Sequence, residues 1–278
     1  MTIFVFTLIL FIASAFAGLI GSLTGLGGGV VLIPLLTLVF KINIHYAIGT
    51  SLISVIATSS GAAAAYVKEG ITNIRLGMFL ELATTSGAII GAMTATFVST
   101  SFIAVTFGVI LLVSAITSFM SIDEKIDSGA KGKFASFLKL NNSFPTGDGM
   151  RDYTVKNVAG GFLMMNIAGI VSGLLGIGSG ALKVIAMDRV MRIPFKVSTT
   201  TSNFMIGVTA AASAGVYLKR GYIDPGLSMP VVLGVLLGAL IGSRILFRAE
   251  TRILKVLFAI VICILAAEMI YNGIKGTL

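Results

Sequence analysis

Two glycine-rich interruptions of apolar segments are the features of this sequence with the clearest chemical meaning. The first of them has four glycines within five residues, namely Gly25, Gly27, Gly28 and Gly29. Each glycine costs a helix roughly 1 kcal/mol relative to alanine, so this cluster predicts a break. A helix that restarts after the break begins with unpaired N–H groups and a positive partial charge, which suit a bound anion.

The interruption recurs 151 residues further along the chain, as Gly176, Gly178, Ser179 and Gly180. The same offset aligns further pairs without a gap, namely Gly18 with Gly169, Thr50 with Thr201, Ser51 with Ser202, Tyr66 with Tyr217, Lys68 with Lys219, Gly87 with Gly238 and Gly91 with Gly242. The sequence therefore predicts an internal duplication. Interrupted helices at matching positions of two halves indicate the substrate site of a transporter. The alternative is that the glycines only permit close helix crossing.

One ionisable side chain lies close to the second interruption. Lys183 follows Gly180 by three residues, whereas the aligned position in the first half is Leu32. A charge at membrane depth is expensive, which makes Lys183 a candidate for binding an anion. The alternative is a lysine whose aliphatic stem runs to the membrane surface beside Asp188 and Arg189.

Hydroxyl and amide side chains enter the apolar segments that follow each interruption. Thr50 and Ser51 in the first half, with Thr201, Ser202 and Asn203 in the second, are candidates for donating hydrogen bonds to an oxyanion. The alternative is that the hydroxyls bond to carbonyls of their own helix, as buried serine and threonine commonly do.

Two acidic residues, Glu81 and Glu268, lie well inside apolar segments. Either is a candidate for carrying a proton in a coupled transport cycle. Each lies within a turn or two of a segment end, so a solvated or paired carboxylate is the alternative.

Composition and segment lengths describe the scaffold that must position these residues. Of the 278 residues, 56% are hydrophobic and 11% are charged, against about 25% charged in soluble domains. We therefore predict an all-α integral membrane protein, whose spanning helices need about 20 apolar residues each. Eight such segments lie near 3–24, 46–67, 76–98, 101–119, 157–177, 198–218, 227–247 and 253–272. The chain then divides into a first membrane repeat (1–119), a connecting loop (120–156) and a second membrane repeat (157–278).

Shorter features complete the scaffold. Apolar pieces of 11 residues near 30–40 and 181–191 are too short to span, and fit either half of a broken helix or a re-entrant segment. The glycines Gly87, Gly91, Gly238 and Gly242 are spaced for close helix packing. In the connecting loop, lysines alternate with apolar residues around 131–139, which favours an amphipathic helix on the membrane surface. If the eight segments are consecutive crossings, the basic residues divide 11 to 9 between the two faces, which slightly favours cytoplasmic termini.

Several classes of function lack support in the sequence. His45 is the single histidine and Cys263 the single cysteine, so we expect no metal site and no disulfide within the chain. The glycine run has no strand before it and no Gly-Lys-Ser/Thr after it, which excludes a nucleotide-binding fingerprint. The net charge of +9 fits loops that face anionic lipid headgroups rather than nucleic acid. We expect no enzymatic activity and no cofactor.

The motifs and their order resemble those of the sulfite exporter TauE/SafE family of membrane permeases. The resemblance covers nearly the whole chain and rests on the runs Gly21–Gly29, Ala47–Ser51 and Tyr66–Gly70, which recur as Gly173–Gly180, Ser198–Ser202 and Tyr217–Gly221. It implies a secondary transporter of sulfur-containing anions such as sulfite, sulfonates or sulfoacetate. The second half departs from the first, because Ser179 replaces a glycine and Ile185 stands where Pro34 does.

The expected function is therefore a permease of the cell inner membrane, which moves a small sulfur-containing anion through a central site formed by two Gly-broken helices. Its expected partners are the anion and the lipid bilayer. The alternatives are an anion channel, or a non-transporting membrane subunit of a redox or assembly complex. The sequence leaves open the direction of transport, the coupling ion, the relative orientation of the halves and homo-oligomerisation.

Overall fold

Helices make up most of the chain. The structure, a computed structural model, describes residues 3–24, 28–68, 70–119, 133–146, 149–246 and 251–276. In chain order the elements are α1 (Ile3–Thr24), α2 (Gly29–Pro34), α3 (Ile44–Lys68), α4 (Ile74–Thr94), α5 (Thr100–Phe119), α6 (Lys133–Phe137), β1 (Asn142–Thr146), β2 (Gly149–Tyr153), α7 (Val158–Leu175), α8 (Gly180–Ile185), α9 (Phe195–Lys219), α10 (Pro225–Leu246) and α11 (Thr251–Lys275).

Each predicted apolar segment coincides with one long helix to within a few residues. The largest difference is in α4, which ends at Thr94 rather than near residue 98. The short helices α2 and α8 each continue into a π-helical segment, at Leu35–Val39 and Ala186–Val190. This helical content is consistent with the prediction of an all-α membrane protein, and β1 and β2 add one small two-stranded sheet.

Local sequence explains where the helices near the predicted site begin and end. Asn73 begins α4, because its side-chain oxygen accepts a hydrogen bond from the backbone N–H of Leu76 at 3.1 Å. Asn157 begins α7 in the same way with the N–H of Gly160. Gly176 ends α7 with a φ of 68°, a left-handed conformation that glycine adopts without steric cost.

Each glycine interruption reverses the direction of the chain. The ring of Phe6, near the start of α1, packs edge-on against Phe40, just after the first π-helical segment, with centroids 5.8 Å apart. In the second half, the backbone N–H of Lys156, just before α7, donates to the carbonyl of Met191, just after the second π-helical segment, at 3.0 Å. We conclude that α2 and α8 are re-entrant segments, each returning to the face from which the preceding long helix entered.

The helix ends lie on two opposite faces. The terminal face contains both described ends of the chain and residues 40–43, 95–99 and 220–224. There the ring of His45 stacks on that of Tyr222, with centroids 5.0 Å apart. The loop face contains residues 70–73, 133–146, 149–157 and 191–194. There the backbone N–H of Asn73 donates to the hydroxyl of Thr201 at 3.1 Å.

The directions of the helices follow from these two faces. Helix α3 runs from the terminal face to the loop face, and α9, which packs against it, runs the opposite way. Helix α1 lies parallel to α10, and α4 lies parallel to α7. These two parallel pairs are the most extensive helix contacts described in the structure.

Close helix contacts use glycines at the predicted small-residue positions. A Cβ atom added at Gly87 of α4 would lie 2.2 Å from the carbonyl oxygen of Asn166 in α7. One added at Gly238 of α10 would lie 1.8 Å from the carbonyl oxygen of Ala15 in α1. Both residues of the second contact are related to those of the first by 151 positions. The interpretation as packing residues is confirmed for Gly87, Gly91 and Gly238, whereas the surroundings of Gly242 lie outside the described part of the structure.

The connecting segment folds against the loop face as a β-hairpin, which the sequence analysis does not predict. β1 pairs with β2 in an antiparallel register that places Asn142 opposite Tyr153. The hydroxyl of Tyr153 accepts a hydrogen bond from the side-chain amide of Asn73 at 2.7 Å. Burial raises the pKa of Tyr153 to about 12, so the ring stays neutral at this contact. The hairpin is thereby fixed to the start of α4.

Within the described residues, the five residues of α6 are the helical part of the predicted amphipathic segment. Phe137 of α6 is exposed, but Ala135 is buried, as are Leu140 and Phe144 beyond it. These buried side chains pack with residues of α4, α7 and α9, so apolar contact with protein replaces contact with lipid. Residues 120–132, including Lys131, lie outside the described part of the chain.

The outward-facing surfaces of the long helices are apolar. Within the described residues, α4 and α7 are long and apolar enough to cross a membrane, and shorter apolar stretches lie at Phe4–Ile20, Gly29–Val39, Thr100–Ile116 and Pro225–Ile241. Large apolar side chains such as Phe4, Phe16, Phe97 and Phe102 are more than half exposed. Such a surface is unfavourable in water and suits lipid, which supports the prediction of a helical membrane protein.

The glycine contacts predict a stability difference between two Gly→Ala variants. At Gly91 in α4 the added Cβ would lie 2.0 Å from the carbonyl oxygen of Ile170, so the two helices must separate. At Gly215 in α9 nothing lies within 4 Å of the added atom. We expect Gly91→Ala to lower the free energy of unfolding by about 1–3 kcal/mol. Gly215→Ala is the control and should leave it unchanged or raise it by up to about 1 kcal/mol. Thermal unfolding in detergent measures both, and equal melting temperatures would contradict the described packing.

Candidate functional site

The two interruptions lie against each other between α3 and α9. The hydroxyl of Ser51 in α3 donates to the carbonyl of Gly176, across from its own half, at 3.0 Å. A Cβ atom added at Gly29 would lie 2.5 Å from this hydroxyl oxygen and 3.3 Å from the carbonyl oxygen of Gly176. The hydroxyl of Ser202 in α9 donates to the carbonyl of Gly180 at 3.2 Å. Both serines of the aligned Thr-Ser pairs therefore bond to backbone carbonyls at the second interruption.

The second interruption has a backbone that explains its glycines. Gly176 and Gly178 have φ values of 68° and 72°, in the left-handed region. Ser179 has a φ of 49°, which is unfavourable for serine. Its buried hydroxyl donates to the carbonyl of Ala168 at 2.7 Å, which stabilises that conformation. In the first interruption Gly28 is right-handed, while Gly25 and Gly27 lie outside the described residues.

Lys183 is fully buried and belongs to a chain of polar side chains. Its ammonium donates to the hydroxyl of Thr209 in α9 at 2.6 Å. The Thr209 hydroxyl in turn donates to Oε1 of Glu81 in α4 at 2.7 Å. Thr85, one turn further along α4, donates to the same oxygen at 3.0 Å. We call Lys183, Thr209 and Glu81 the buried polar chain. The alternative of a lysine reaching the membrane surface is wrong.

The carboxylate of Glu81 has one satisfied oxygen and one unsatisfied oxygen. Oε1 accepts from Thr209 and Thr85, whereas the buried Oε2 has no hydrogen-bond partner. Only 8% of Glu81 is exposed. Glu268, the other acidic candidate, lies on the exposed side of α11. The structure therefore brings one of the two predicted proton carriers to Lys183 and leaves the other outside.

The buried polar chain exists in one half only. The positions 151 residues away from Lys183, Thr209 and Glu81 are Leu32, Thr58 and Val232. Only the threonine is kept, and the hydroxyl of Thr58 donates to the carbonyl of Ser54 within its own helix at 3.0 Å. The equivalent place in the other half is therefore uncharged.

Two charges in a buried place stabilise each other only if they interact. Removing an ion from water costs several kcal/mol even after the protein relaxes. The distance from Nζ of Lys183 to Oε1 of Glu81 is at most the sum of the two hydrogen bonds through Thr209, and their charges interact. This attraction, strong at low dielectric, is the physical reason why both residues are tolerated at this depth.

The remaining predicted residues connect helices near the two faces. Thr50 shares a hydrogen bond with Ser228 of α10 at 3.2 Å, and Thr201 accepts the bond from Asn73 described above. Asn203 is half-buried on α9. Sequence reasoning missed Thr209, although the 151-residue offset pairs it with Thr58. That pairing of hydroxyls was the available signal.

Comparison with known proteins identifies the family of this chain. The model of the sulfite exporter TauE/SafE family matches residues 10–269. The chain belongs to the TauE/SafE family. The resemblance drawn from the glycine motifs is thereby confirmed. TauE/SafE membership and the names of the relatives indicate a membrane transporter rather than an enzyme.

Relatives of this TauE/SafE chain are similar over nearly its whole length. It is 28% identical to the probable membrane transporter protein YunE of Bacillus subtilis (strain 168) over 275 residues, covering 96% of this chain and 98% of that protein. It is 26% identical to the probable membrane transporter protein YdhB of the same organism, covering 85% of this chain and 87% of that protein. It is 22% identical to the probable membrane transporter protein MJ0441 of Methanocaldococcus jannaschii, covering 94% of both. No solved structure matches the chain.

Neighbouring glycines of the first interruption should differ in their tolerance of a side chain. At Gly29 an added Cβ would displace the Ser51 hydroxyl and break its bond to Gly176. At Gly28 the nearest atom is a Val235 methyl at 3.0 Å, which can rotate away. We expect Gly29→Ala to cost about 1–3 kcal/mol of unfolding free energy and Gly28→Ala less than about 1 kcal/mol. Thermal unfolding of the two variants measures this, and a reversed order would contradict the described contact.

Proposed function

We propose that this TauE/SafE transporter is a secondary permease that moves a small sulfur oxyanion or sulfonate through a central site beside Lys183. The observation that carries the proposal is a fully buried ammonium next to a break in a re-entrant helix. A buried cation inside a transporter is a functional candidate by default, because it is expensive unless it has a use. The family description supports sulfite as a member of the substrate class.

The glycine interruptions contribute the second part of the proposed site. The helix that restarts at Gly180 presents N–H groups without helical partners, and Lys183 lies one turn further on. Lys183 thus adds a full charge to the roughly half charge of a helix end. The other predicted binding residues, Gly25, Gly27, Gly28, Gly29, Thr50, Ser51, Gly176, Gly178, Ser179, Thr201, Ser202 and Asn203, are proposed to shape the site around this charge.

We infer that the two halves are inverted repeats with four long helices each. Each re-entrant pair begins and ends on one face, so each half crosses the membrane three times after it. An odd number of crossings inverts the second half. The repeated glycine contacts of α1 with α10 and of α4 with α7 support this relation, since they exchange the two halves. Alternating access would then be a movement of one parallel helix pair, α1 with α10, against the other, α4 with α7.

The proposed location is the cell inner membrane, with the loop face in the cytoplasm. Re-entrant segments change which basic residues share a face. The division of 11 to 9, which assumes eight consecutive crossings, therefore does not apply. Twelve basic residues of the described part lie towards the loop face, namely Lys68, Arg75, Lys133, Lys139, Arg151, Lys156, Arg189, Arg192, Lys196, Arg244, Arg252 and Lys255. Four lie towards the terminal face, namely Lys41, Lys219, Arg220 and Lys275. An excess of lysine and arginine marks the cytoplasmic side.

Single cysteines test this orientation. In a Cys263→Ala background we expect Lys219→Cys to react with a membrane-impermeant maleimide added to intact cells. Asp152→Cys, on the β-hairpin, should react only after the membrane is opened. Both positions are exposed to solvent. Labelling of Asp152→Cys but not Lys219→Cys in intact cells would reverse the orientation.

Uptake into proteoliposomes tests the transport function and the role of Lys183. Radiolabelled sulfite, sulfate, thiosulfate, taurine, sulfoacetate and ethanesulfonate serve as substrates, and saturable uptake of one of them is expected. Unsaturable, conductive flux would favour a channel, and the lack of any flux would favour a non-transporting subunit. Lys183→Ala should raise the apparent Kd for the transported anion at least about tenfold, which corresponds to about 1.4 kcal/mol. Lys183→Arg should keep part of the affinity with a changed anion preference, because a planar fork replaces a point charge.

A double variant separates binding by Lys183 from a structural role. Lys183→Ala alone leaves Glu81 buried without a countercharge, which destabilises the fold. Lys183→Met combined with Glu81→Gln removes both charges and resembles the uncharged Leu32 and Val232 of the other half. We expect this variant to recover thermal stability but not anion affinity. Wild-type affinity in the double variant would show that the anion does not need the lysine.

A further inference from the structure

We infer that this transporter carries a proton together with its anion, and that the proton binds to Oε2 of Glu81. The inference rests on the proposed function, because it concerns how an anion is accommodated beside Lys183. It assigns the coupling ion, which neither the family nor the relatives specify. Its basis is the buried polar chain and the unsatisfied oxygen at one end of it.

The charge balance of the buried polar chain sets the coupling. In the described conformation the ammonium of Lys183 is balanced by the carboxylate of Glu81 through the hydroxyl of Thr209. An anion added beside Lys183 would leave one negative charge in excess in a buried place, at a cost of several kcal/mol. A proton on Glu81 removes that excess, because the anion then becomes the partner of Lys183. Binding of the anion therefore favours binding of the proton, and binding of the proton favours binding of the anion.

The hydrogen bonds of Glu81 suit such a proton. Oε1 accepts from Thr209 and Thr85, so it is saturated in either protonation state. Oε2 is buried and has no partner, so a proton can bind there without breaking a described bond. An ionised oxygen left unpaired in a buried place is far more costly than a neutral one. The proton comes from water on the side of entry and returns to water on the side of exit, and no other bond is formed or broken.

Within the described residues, the other ionisable groups on the surrounding elements lie near helix ends or interact with different partners. Helix α4 itself has only Arg75 besides Glu81, exposed at the loop face. Helix α7 has no ionisable side chain. In α9 the cations Lys196 and Lys219 lie near the ends, and the Tyr217 hydroxyl is bonded to the carbonyl of Gly173. After α8, Asp188 interacts with Arg189 and Arg192. The β-hairpin contributes Tyr153, which is bonded to Asn73. Glu81 therefore responds to Lys183 and to a bound anion.

The asymmetry of the two halves sets the number of protons carried in each transport cycle. Leu32, Thr58 and Val232 provide no second carboxylate at the equivalent place. One proton per cycle follows, so a monoanion is carried without net charge and a dianion with one net negative charge. A gradient of one pH unit is worth 1.36 kcal/mol and should concentrate a monoanion about tenfold.

The test uses the full-length protein in proteoliposomes with the membrane potential clamped. The probes are radiolabelled ethanesulfonate, sulfate and thiosulfate, because their charge does not change over the pH range used. With an acidic exterior, wild-type protein should concentrate a transported probe, and a trapped pH-sensitive dye should report acidification of the lumen as the probe enters. Glu81→Gln mimics the protonated carboxyl, so it should exchange the probe across the membrane at equal pH but should not concentrate it or move protons.

Matched threonine variants examine the bridge between the charges. Thr209→Val removes the hydroxyl that joins Lys183 to Glu81 and should weaken the dependence of accumulation on the pH gradient, and Thr209→Ser should restore it. Thr58→Val removes the equivalent hydroxyl in the uncharged half and should leave accumulation unchanged. A loss through packing alone would affect both threonines.

Each outcome supports or overturns the inference. Accumulation by Glu81→Gln in a pH gradient would overturn it, as would saturable wild-type uptake of a probe without lumen acidification, and in both cases the proposed permease function would stand. Absence of uptake of every anion tested would instead overturn the proposed function. If Glu81→Gln does not fold, as judged by thermal unfolding, the wild-type proton flux alone decides.

Discussion

A helix that stops inside a membrane must find partners for its backbone groups within the protein, and the centre of this molecule follows from that constraint. The break after α7 is held by side chains that point at its carbonyls, Ser51 from α3 and Ser202 from α9. These two helices must therefore pass the break closely, and glycine makes the approach possible. Gly29 has no room for a side chain beside Ser51.

Burial within the protein also determines where charged side chains can lie. Lys183 and Glu81 lie on different helices, and neither is tolerable at this depth without the other. Thr209 joins them because a hydroxyl can accept one hydrogen bond and donate another. The parallel packing of α4 with α9 and the return of α8 beside α7 bring the three residues to one place. The fold can thus be regarded as the support of one buried pair of opposite charges.

Much of this architecture is predictable from the sequence because its signals are local. The long helices follow from apolar length, and the interruptions follow from glycine, whose backbone preference needs no tertiary information. Lys183 is recognisable as a candidate because a lysine within one turn of a membrane-embedded break is unusual. Its contact with Glu81 is not predictable, since 102 residues separate the two and only the folded packing of α4 on α9 joins them.

Two features of the fold depend on contacts that the sequence does not reveal. An apolar stretch of 11 residues fits a crossing half-helix and a returning one equally well, so the sequence leaves both open. The return is decided by contacts between distant residues, such as Phe6 with Phe40. In the connecting segment, alternating lysines and apolar residues around 131–139 fit a surface helix, while the hairpin that follows and places Phe144 and Tyr153 beside α4 has no such local signal. The protein surface competes with lipid for these side chains, and composition does not reveal which one wins.

A single charged pair is enough for the proposed function. Both halves keep a threonine at the equivalent place, Thr58 and Thr209, but only one has ionisable neighbours. A second pair of opposite charges in the other half would bury two more ions, each at a cost of several kcal/mol. It would not allow the proposed central site to bind a second anion. Leu32 and Val232 avoid that cost by packing as apolar side chains. In the proposed mechanism, inverted repeats that move against each other need equivalent shapes, whereas the coupling of an anion to a proton needs only one set of charges. A repeated backbone is therefore compatible with chemistry that is present once.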